Sequence, residues 1–169
     1  MRNSDAEREQ RLRECMDQYG DSVLRLCFTL LGDRGLAEDA LQDTFIKVWK
    51  NLDTFEARNG SSLKTWIMHI AVNTCKDYRK QAWRKHIELS DAIDTLPFIR
   101  TEGMENSREI LESVMALPIK YRQPVLLYYW QDMTLDEIGK VLNVSQSTAH
   151  YRLKKAQEML KKTLKEDWQ

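Results

Sequence analysis

The chain is poor in the two residues that most often interrupt helices. Its 169 residues include six glycines and three prolines, and no stretch alternates apolar and polar side chains long enough to favour a β-strand. Apolar residues instead recur at spacings of three and four, as at Val23, Leu26, Cys27 and Leu30. The sequence therefore predicts an all-α fold of helices joined by short connections.

Composition and charge exclude several classes of protein. Lys plus Arg and Asp plus Glu each number 26, so affinity for nucleic acid must come from local clusters of cations. The three cysteines lie in apolar helical patterns without a CxxC pair, which predicts buried, reduced thiols and no metal site. The N-terminus is too charged for a signal peptide, and no apolar run reaches the roughly 18 residues that a membrane span needs. We expect a cytoplasmic protein that does not insert into a membrane.

A shift in composition divides the chain into two parts. From Glu88 to Glu105, acidic residues, a proline and a glycine replace the helical periodicity, which is typical of a flexible linker. We predict two small helical domains, residues 1–88 and 106–169, joined by a linker at 89–105.

Several helix boundaries follow from local signals. In the N-terminal domain, Gly20 is a potential break in the first helix, and Ser61 or Ser62 caps the third. In the C-terminal domain, Pro118 ends one helix or begins the next. Because Pro124 fits a first turn better than a helix interior, we place a helix start near Tyr121, with an apolar face formed by Val125, Leu126, Tyr129 and Trp130.

The stretch "MTLDEIGKVLNVSQSTAHYRL" predicts two helices separated by a tight turn. Thr134 and Glu137 have the spacing of a capping box, Asn143 turns the chain, and Ser145 caps the second helix. This is the helix-turn-helix arrangement, whose second helix enters the major groove of DNA. The alternative is a helical hairpin whose charged face is merely solvated. For DNA binding, base edges would face Gln146, Ser147, His150, Tyr151 and Lys154, and phosphates would face Thr148, Arg152 and Lys155.

Two further charged segments stand out. One mixes the cations Lys76, Arg79, Lys80, Arg84 and Lys85 with Tyr78 and Trp83, a combination that suits single-stranded DNA, although Trp66 and Tyr78 also fit core packing. The other places Glu38, Asp39 and Asp43 near the start of a helix, where carboxylates stabilise the helix dipole or meet a partner.

Three segments resemble, in order and spacing, the extracytoplasmic-function class of bacterial RNA polymerase sigma factors. They are "AEDALQDTFIKVWKNLDTF", "TWIMHIAVNTCKDYRK" and "LPIKYRQPVLLYYWQDMTLDEIGKVLNVSQSTAHYRLKKA", and the resemblance covers roughly residues 10 to 165. It implies a two-domain, non-enzymatic polymerase subunit without cofactors. The partners it implies are the clamp and flap of core RNA polymerase, duplex and melted promoter DNA, and an anti-sigma factor that holds the protein inactive, in some relatives at the membrane.

The resemblance also assigns residues to each surface. The family's clamp-binding motif falls on Asp39, Gln42, Asp43, Phe45, Lys47, Val48 and Trp49, at or under the polymerase-binding surface. The minus-ten promoter element is implied to meet Phe55, Asn59 and Ser62 in the loop that holds a flipped base, and Asn73, Lys76, Asp77 and Lys80 on the reading helix. The minus-thirty-five element is implied to meet the helix after Ser145. His150 and Tyr151 depart from the usual residues of that helix, which leaves the promoter sequence open.

Two other functions fit parts of the sequence. A dimeric, one-component helix-turn-helix regulator would bind DNA stably without polymerase. A magnesium-dependent nucleotide pyrophosphatase would use Glu38, Asp39 and Asp43, but it needs further carboxylates on a facing helix, where Asp77 stands alone among cations.

Overall fold

The computed structural model describes residues 4–55, 61–82 and 107–164 of the chain. Within these ranges every regular element is helical, which confirms the all-α prediction. Several predicted features lie outside the described residues: the linker at 89–105, the aromatic Trp83, the basic residues Arg84 and Lys85, and the loop residue Asn59.

The N-terminal unit contains three helices, α1 (Asp5–Leu31), α2 (Arg34–Asn51) and α3 (Leu63–Ala82). The potential break at Gly20 is wrong, because α1 runs through it without interruption. One glycine within a helix costs only about 1 kcal/mol, which the buried face of α1 outweighs. Of the two predicted caps for α3, Ser62 is used: its hydroxyl oxygen accepts from the Thr65 amide at 3.1 Å.

The connection between α1 and α2 is short because two adjacent residues end one helix and begin the next. Gly32 adopts the left-handed conformation, φ 71°, and donates its amide to the Phe28 carbonyl. Asp33 then caps α2 by accepting from the Leu36 amide at 2.7 Å. Consequently α2 starts at Arg34, two residues before Leu36, the first residue of its apolar pattern.

The core of this unit is apolar and tightly enclosed. Phe28, Val48, Ile67 and Met68 are completely buried. The chain's three cysteines are buried as well, with at most 4% of each exposed. This confirms the prediction of buried, reduced cysteines. Burial raises the pKa of the Cys15 thiol, and the pKa of Cys27 is raised by its contact with Cys75 and by burial. Both thiols are therefore held in the neutral form.

The C-terminal unit contains α4 (Ser107–Met115), α5 (Ile119–Val125), a π-helical segment (Leu126–Trp130), α6 (Leu135–Leu142) and α7 (Gln146–Thr163). The helix start predicted near Tyr121 is wrong. Pro118 itself occupies the N-cap, so α5 begins at Ile119 and Pro124 lies in its interior. A proline there cannot donate to the preceding turn, and the wider π-helical turns follow immediately.

The π-helical segment also changes which side chains face the core. The predicted apolar face included Tyr129 and Trp130, but these are 52% and 41% exposed, while Leu126 and Leu127 are buried. A π-helix places more residues in each turn than an α-helix, so the three-and-four spacing no longer marks one face. The aromatic part of this prediction was therefore wrong.

The helix-turn-helix prediction is confirmed in detail. Thr134 and Glu137 form the capping box of α6, Asn143 adopts the left-handed conformation at φ 55°, and Ser145 accepts from the Thr148 amide at 3.1 Å. Gly139 is needed at the turn, because a Cβ there would lie 2.8 Å from the Val144 carbonyl oxygen. Behind the turn, α7 buries Ala149, Leu153 and Ala156.

The two units pack against each other. The main contact is between α3 and α6, and α1 also approaches α5. The buried apolar residues of the two units belong to one contiguous cluster. The two helical units are therefore docked together over a shared apolar core.

Candidate functional site

The residues of α2 that were predicted to bind the polymerase form a surface supported from beneath. Asp39 and Gln42 are exposed, and Asp43, Lys47 and Trp49 are half-buried. Phe45 and Val48 lie under this surface, with 5% and 0% exposure. Phe45 is thus a core residue that supports the surface, and it offers no contact area of its own.

Two polar side chains of this surface are held by α3. The phenol of Tyr78 donates to Asp43 Oδ2 at 2.5 Å, and Lys47 Nζ donates to Thr74 Oγ1 at 3.0 Å. The hydrogen bond to Asp43, with a smaller effect of burial, raises the pKa of Tyr78 to about 12, because it stabilises the neutral phenol. Asp43 is therefore fixed in orientation, with one carboxylate oxygen engaged.

Trp49 is held from the other side by Arg8 of α1. The Arg8 guanidinium lies 4.5 Å from the centroid of the Trp49 ring and donates to the Trp49 carbonyl oxygen at 2.8 Å. It also forms an ion pair with Asp53 at 2.9 Å. Sequence analysis did not identify Arg8, since it lies 41 residues from Trp49.

The predicted minus-ten residues on α3 form an exposed polar stripe. Asn73, Lys76, Asp77 and Lys80 are all exposed, and the spacing of 73, 76 and 80 places three of them on one side of the helix. Nearby, the Phe55 ring stacks on Trp66 with centroids 4.7 Å apart. An aromatic platform and a row of polar groups thus lie on the same unit.

Ser62 and His69 bear on this stripe in different ways. The Ser62 hydroxyl already accepts from the Thr65 amide, so its first role is to cap α3. His69, which sequence analysis did not identify, contacts Asn73 Nδ2 through its Nε2 at 3.1 Å. Its Nδ1 lies 2.9 Å from the carbonyl oxygen of Val141 in α6. The stripe is thereby connected to the C-terminal unit.

The outer face of α7 presents a separate set of donors. Tyr151 is 61% exposed, whereas Arg152 and Thr148 are half-buried. The Thr148 hydroxyl oxygen accepts from the Ser145 hydroxyl at 2.9 Å, which leaves its own proton free to be donated. The remaining predicted residues of this face are exposed: Gln146, Ser147, His150, Lys154 and Lys155.

Two further properties apply to the described ranges. No group of three or more His, Cys, Asp or Glu side chains is arranged there to hold a metal ion. None of the helices in those ranges has the length and apolar character that crossing a membrane requires.

Family models match both units of the chain. The model of sigma-70 region 2 matches residues 15–85, and the model of sigma-70 region 4 matches residues 107–160. The first match contains the α2 surface and the α3 stripe, and the second contains the helix-turn-helix.

Similar proteins of known function extend over nearly the whole chain. The ECF RNA polymerase sigma factor SigW of Bacillus subtilis (strain 168) is 30% identical over 167 residues, covering 90% of this chain and 88% of SigW. The ECF RNA polymerase sigma factor SigX of the same strain is 30% identical over 176 residues, covering 94% of this chain and 90% of SigX.

Two solved structures share the fold. One is the sigma factor RpoE in complex with the anti-sigma factor NepR from Bartonella quintana, with a TM-score of 0.74 and 21% identity, covering 94% of this chain and 99% of RpoE. The other is CnrH in complex with the cytosolic domain of CnrY, with a TM-score of 0.71 and 19% identity, covering 94% and 90%. In both comparisons the similarity spans both helical units.

Proposed function

The chain belongs to the sigma-70 family as an alternative RNA polymerase sigma factor of the extracytoplasmic-function class, and we propose from this premise a role for each of its three polar surfaces. The observation that carries the proposal is the presence of both family regions in order, at residues 15–85 and 107–160. A dimeric regulator with one helix-turn-helix would need only the second region. The function is thus to direct promoter-specific initiation, with no catalytic activity of its own.

The α2 surface is proposed to bind core polymerase at the clamp. Its polar groups are Asp39, Gln42, Asp43 and Lys47, and the half-buried ring of Trp49 lies on the same helix. The hydrogen bonds of Asp43 and Lys47 with α3, and the stacking of Arg8 on Trp49, fix the geometry of these three side chains before binding. Preorganisation reduces the entropy lost on association, so such a surface binds more tightly than mobile side chains would.

The α3 stripe is proposed to read the melted strand of the minus-ten element. Cations beside aromatic rings suit unstacked bases, and the amide of Asn73 can contact a base edge while Lys76 and Lys80 contact phosphates. Extruding a base costs a few kcal/mol of stacking. Phe55 and the loop after it, including Asn59, would offset this cost by holding the flipped base, so melting requires no ATP.

The α7 face is proposed to read the minus-thirty-five element in the major groove. Gln146, Ser147, His150, Tyr151 and Lys154 would meet base edges, because they are exposed near the start of the helix or on its outer face. Thr148, Arg152 and Lys155 would meet phosphates, which fix the position of the helix without reading sequence.

An inhibitor is proposed as a further partner. RpoE, which shares this fold, was solved in complex with the anti-sigma factor NepR, and CnrH, which also shares it, was solved in complex with the cytosolic domain of CnrY. We propose that an anti-sigma factor likewise controls this chain. We also propose a cytoplasmic location, where core polymerase and promoter DNA are found, and domain limits at residues 1–88 and 106–169.

Run-off transcription tests the function directly. The purified protein is added to core RNA polymerase on fragmented bacterial DNA, alongside Asp39→Arg and Asp43→Arg. The control is Asp17→Arg, which reverses the charge of an exposed residue of α1 outside the α2 surface. We expect promoter-specific transcripts with the wild type and the control, and none with the two α2 variants. Stable binding to one DNA sequence without polymerase, and no transcripts, would favour the dimeric regulator instead.

A further inference from the structure

The end of α2 is held by a side chain from the start of α1. The guanidinium of Arg8 stacks on the Trp49 ring, and its Nη2 donates to the Trp49 carbonyl oxygen at 2.8 Å. Trp49 lies in the last turn of α2, where carbonyls have no partner within the helix and the helix dipole favours a cation. Arg8 therefore supplies a donor and a positive charge at this helix end.

Arg8 also reaches the first residues after α2. Its Nε lies 2.9 Å from Asp53 Oδ2, and the Arg8 side chain is only 22% exposed. The position of Arg8 along α1 is itself fixed, because Ser4 and Glu7 form the capping box that begins this helix. One half-buried cation thus joins the start of α1, the end of α2 and the loop that follows α2.

The residues after Asp53 fold back onto the same helix end. The Asn51 carbonyl oxygen accepts from the amides of Thr54 and Phe55 at 3.1 and 3.0 Å, and from the Thr54 hydroxyl at 2.9 Å. The Phe55 ring stacks on Trp66 of α3 with ring centroids 4.7 Å apart. Because Asp53 and Phe55 are two residues apart in one hydrogen-bonded turn, a displacement of Asp53 also displaces Phe55.

We infer that Arg8 is a positioning residue for promoter melting, which acts through Asp53 to hold the Phe55 ring where a flipped minus-ten base is received. Arg8 itself contacts neither DNA nor polymerase. The same guanidinium orients Trp49 on the α2 surface, so it connects the polymerase-binding helix to the loop that receives the base. This inference rests on the proposed reading of the minus-ten element, and it adds to that function a residue from a different helix.

Positioning matters because a flipped base is best captured by a ring that is already in place. Extruding the base sacrifices its stacking in the duplex, and contact with an aromatic ring returns part of that energy. A ring on a mobile loop would first have to be ordered, and the entropy lost in ordering it would weaken the capture. The contact between Arg8 and Asp53 reduces this loss, because it orders the start of the loop before DNA binds.

The test compares transcription from two templates by core polymerase that is saturated with the full-length protein. One template is a duplex promoter mapped by run-off transcription, and the other is the same promoter with a mismatched, already open minus-ten segment. Asp53→Ala removes the contact with the loop and leaves the contacts between Arg8 and Trp49 in place. Asp17→Ala, which removes an exposed carboxylate of α1, is the matched control for the change in charge.

We expect Asp53→Ala to bind core polymerase as the wild type does, which also shows that it folds. It should give about two- to fivefold fewer transcripts from the duplex promoter, the range expected for a partly exposed ion pair. On the open template the loss should be much smaller, because the base no longer has to leave a duplex. Asp17→Ala should transcribe both templates as the wild type does.

Two double variants trace the path of the effect. Adding Asp53→Ala to Arg8→Ala should cause no further loss of transcripts, since the ion pair is already absent. Adding Asp53→Ala to Phe55→Ala should likewise cause no further loss from the duplex promoter, since the ring that Asp53 positions is gone. A residue that acted only through general stability would instead lower transcription by a similar factor in each background.

Equal losses from the duplex and the open template, or no loss from either, would overturn the inference. A full additional loss when Asp53→Ala is added to Phe55→Ala would exclude the route through Phe55. Failure of the proposed function is a different result, since the wild type would then give no run-off transcripts with core polymerase.

Discussion

The phenol of Tyr78 on α3 donates a hydrogen bond to the carboxylate of Asp43 on α2, with 2.5 Å between the oxygens. Through this bond the helix proposed to read DNA also orients a residue proposed to bind polymerase. Tyr78 is therefore a positioning residue for the α2 surface, although it lies at the end of α3 that carries the cations.

Replacing Tyr78 by Phe should weaken binding to core polymerase through Asp43. A hydrogen bond to a charged group contributes about 1.5–3 kcal/mol when buried, and less here because both side chains are partly exposed. We expect a several-fold loss of affinity for core polymerase. In an Asp43→Ala background, Tyr78→Phe should have no further effect on that affinity. Equal losses in both backgrounds would show that Tyr78 acts only through general stability.

The same hydrogen bond makes stability depend on alkaline pH. The folded-state pKa of Tyr78 is about 12, above the ordinary value of 10, so the neutral phenol is the stabilised form. This contribution is complete below pH 10 and is lost as the pH rises towards 12. The difference in tyrosinate absorbance between the wild type and Tyr78→Phe isolates this phenol among the six tyrosines. A transition near pH 10 would contradict the bond.

Alanine should destabilise the protein at Gly139 and stabilise it at Gly20. A Cβ at Gly139 would lie 2.8 Å from the Val144 carbonyl oxygen, and nothing lies within 4 Å of one at Gly20. We expect Gly139→Ala to lower the free energy of unfolding by about 1–3 kcal/mol and to impair minus-thirty-five binding. Gly20→Ala should raise it by about 0.5–1 kcal/mol, because alanine favours a helix. Urea denaturation measures both, and equal effects would contradict the tight turn.

Replacing Arg8 should destabilise the protein far more than replacing Arg13, which lies on the same helix. Arg8 stacks on Trp49, donates to its carbonyl oxygen and pairs with Asp53, whereas Arg13 pairs only with Glu9 along an exposed helix face. Arg8→Ala should cost about 1–2 kcal/mol of stability, and Arg13→Ala about 0.3 kcal/mol.

Arg8→Lys tests which part of the Arg8 contact is needed. Lysine keeps the positive charge but lacks the planar guanidinium that stacks on Trp49 and donates several hydrogen bonds at once. We therefore expect Arg8→Lys to recover less than half of the stability that Arg8→Ala loses. Full recovery, measured by urea denaturation, would mean that charge alone is required.

Lys154 and Arg152 of α7 should differ in their effect on promoter choice. Lys154 is exposed on the outer face, and Arg152 is half-buried. Lys154→Ala should weaken binding by about 1–3 kcal/mol at one upstream base position, whereas Arg152→Ala should weaken binding to all sequences alike. Transcription from a library of minus-thirty-five sequences separates these outcomes. Equal losses at every sequence for both variants would contradict the assignment.

Features set by neighbouring residues were the ones that sequence could predict. The capping box of Thr134 and Glu137, the turn at Asn143 and the cap at Ser145 each depend on residues within a few positions, and all three were predicted. The exposed residues of α7 follow from the same register. The aromatic face at Tyr129 and Trp130 was predicted wrongly because one π-helical segment changes the register of the side chains.

Contacts between distant residues left no signal in the sequence. His69 and Val141 are 72 residues apart, and Arg122 and Thr29 are 93 apart. In the sequence, Arg122 is indistinguishable from the surface cations. In the structure it is half-buried, and this burial lowers the pKa of its guanidinium to about 10. Only the packing of the two units shows that these side chains complete helix ends across the interface, and a single sequence does not specify that packing.

The acceptors of the docked arrangement also determine how ionic strength acts on the free protein. All four hydrogen bonds described between the units end on backbone carbonyl oxygens, those of Ser22, Thr29, Gln131 and Val141. Dissolved ions weaken attraction between opposite charges much more than bonds to neutral carbonyls, and cation contacts to DNA phosphates fall steeply as salt rises. Raising the ionic strength should therefore release bound DNA well before it separates the two units, so the packed arrangement should persist in salt that abolishes DNA binding.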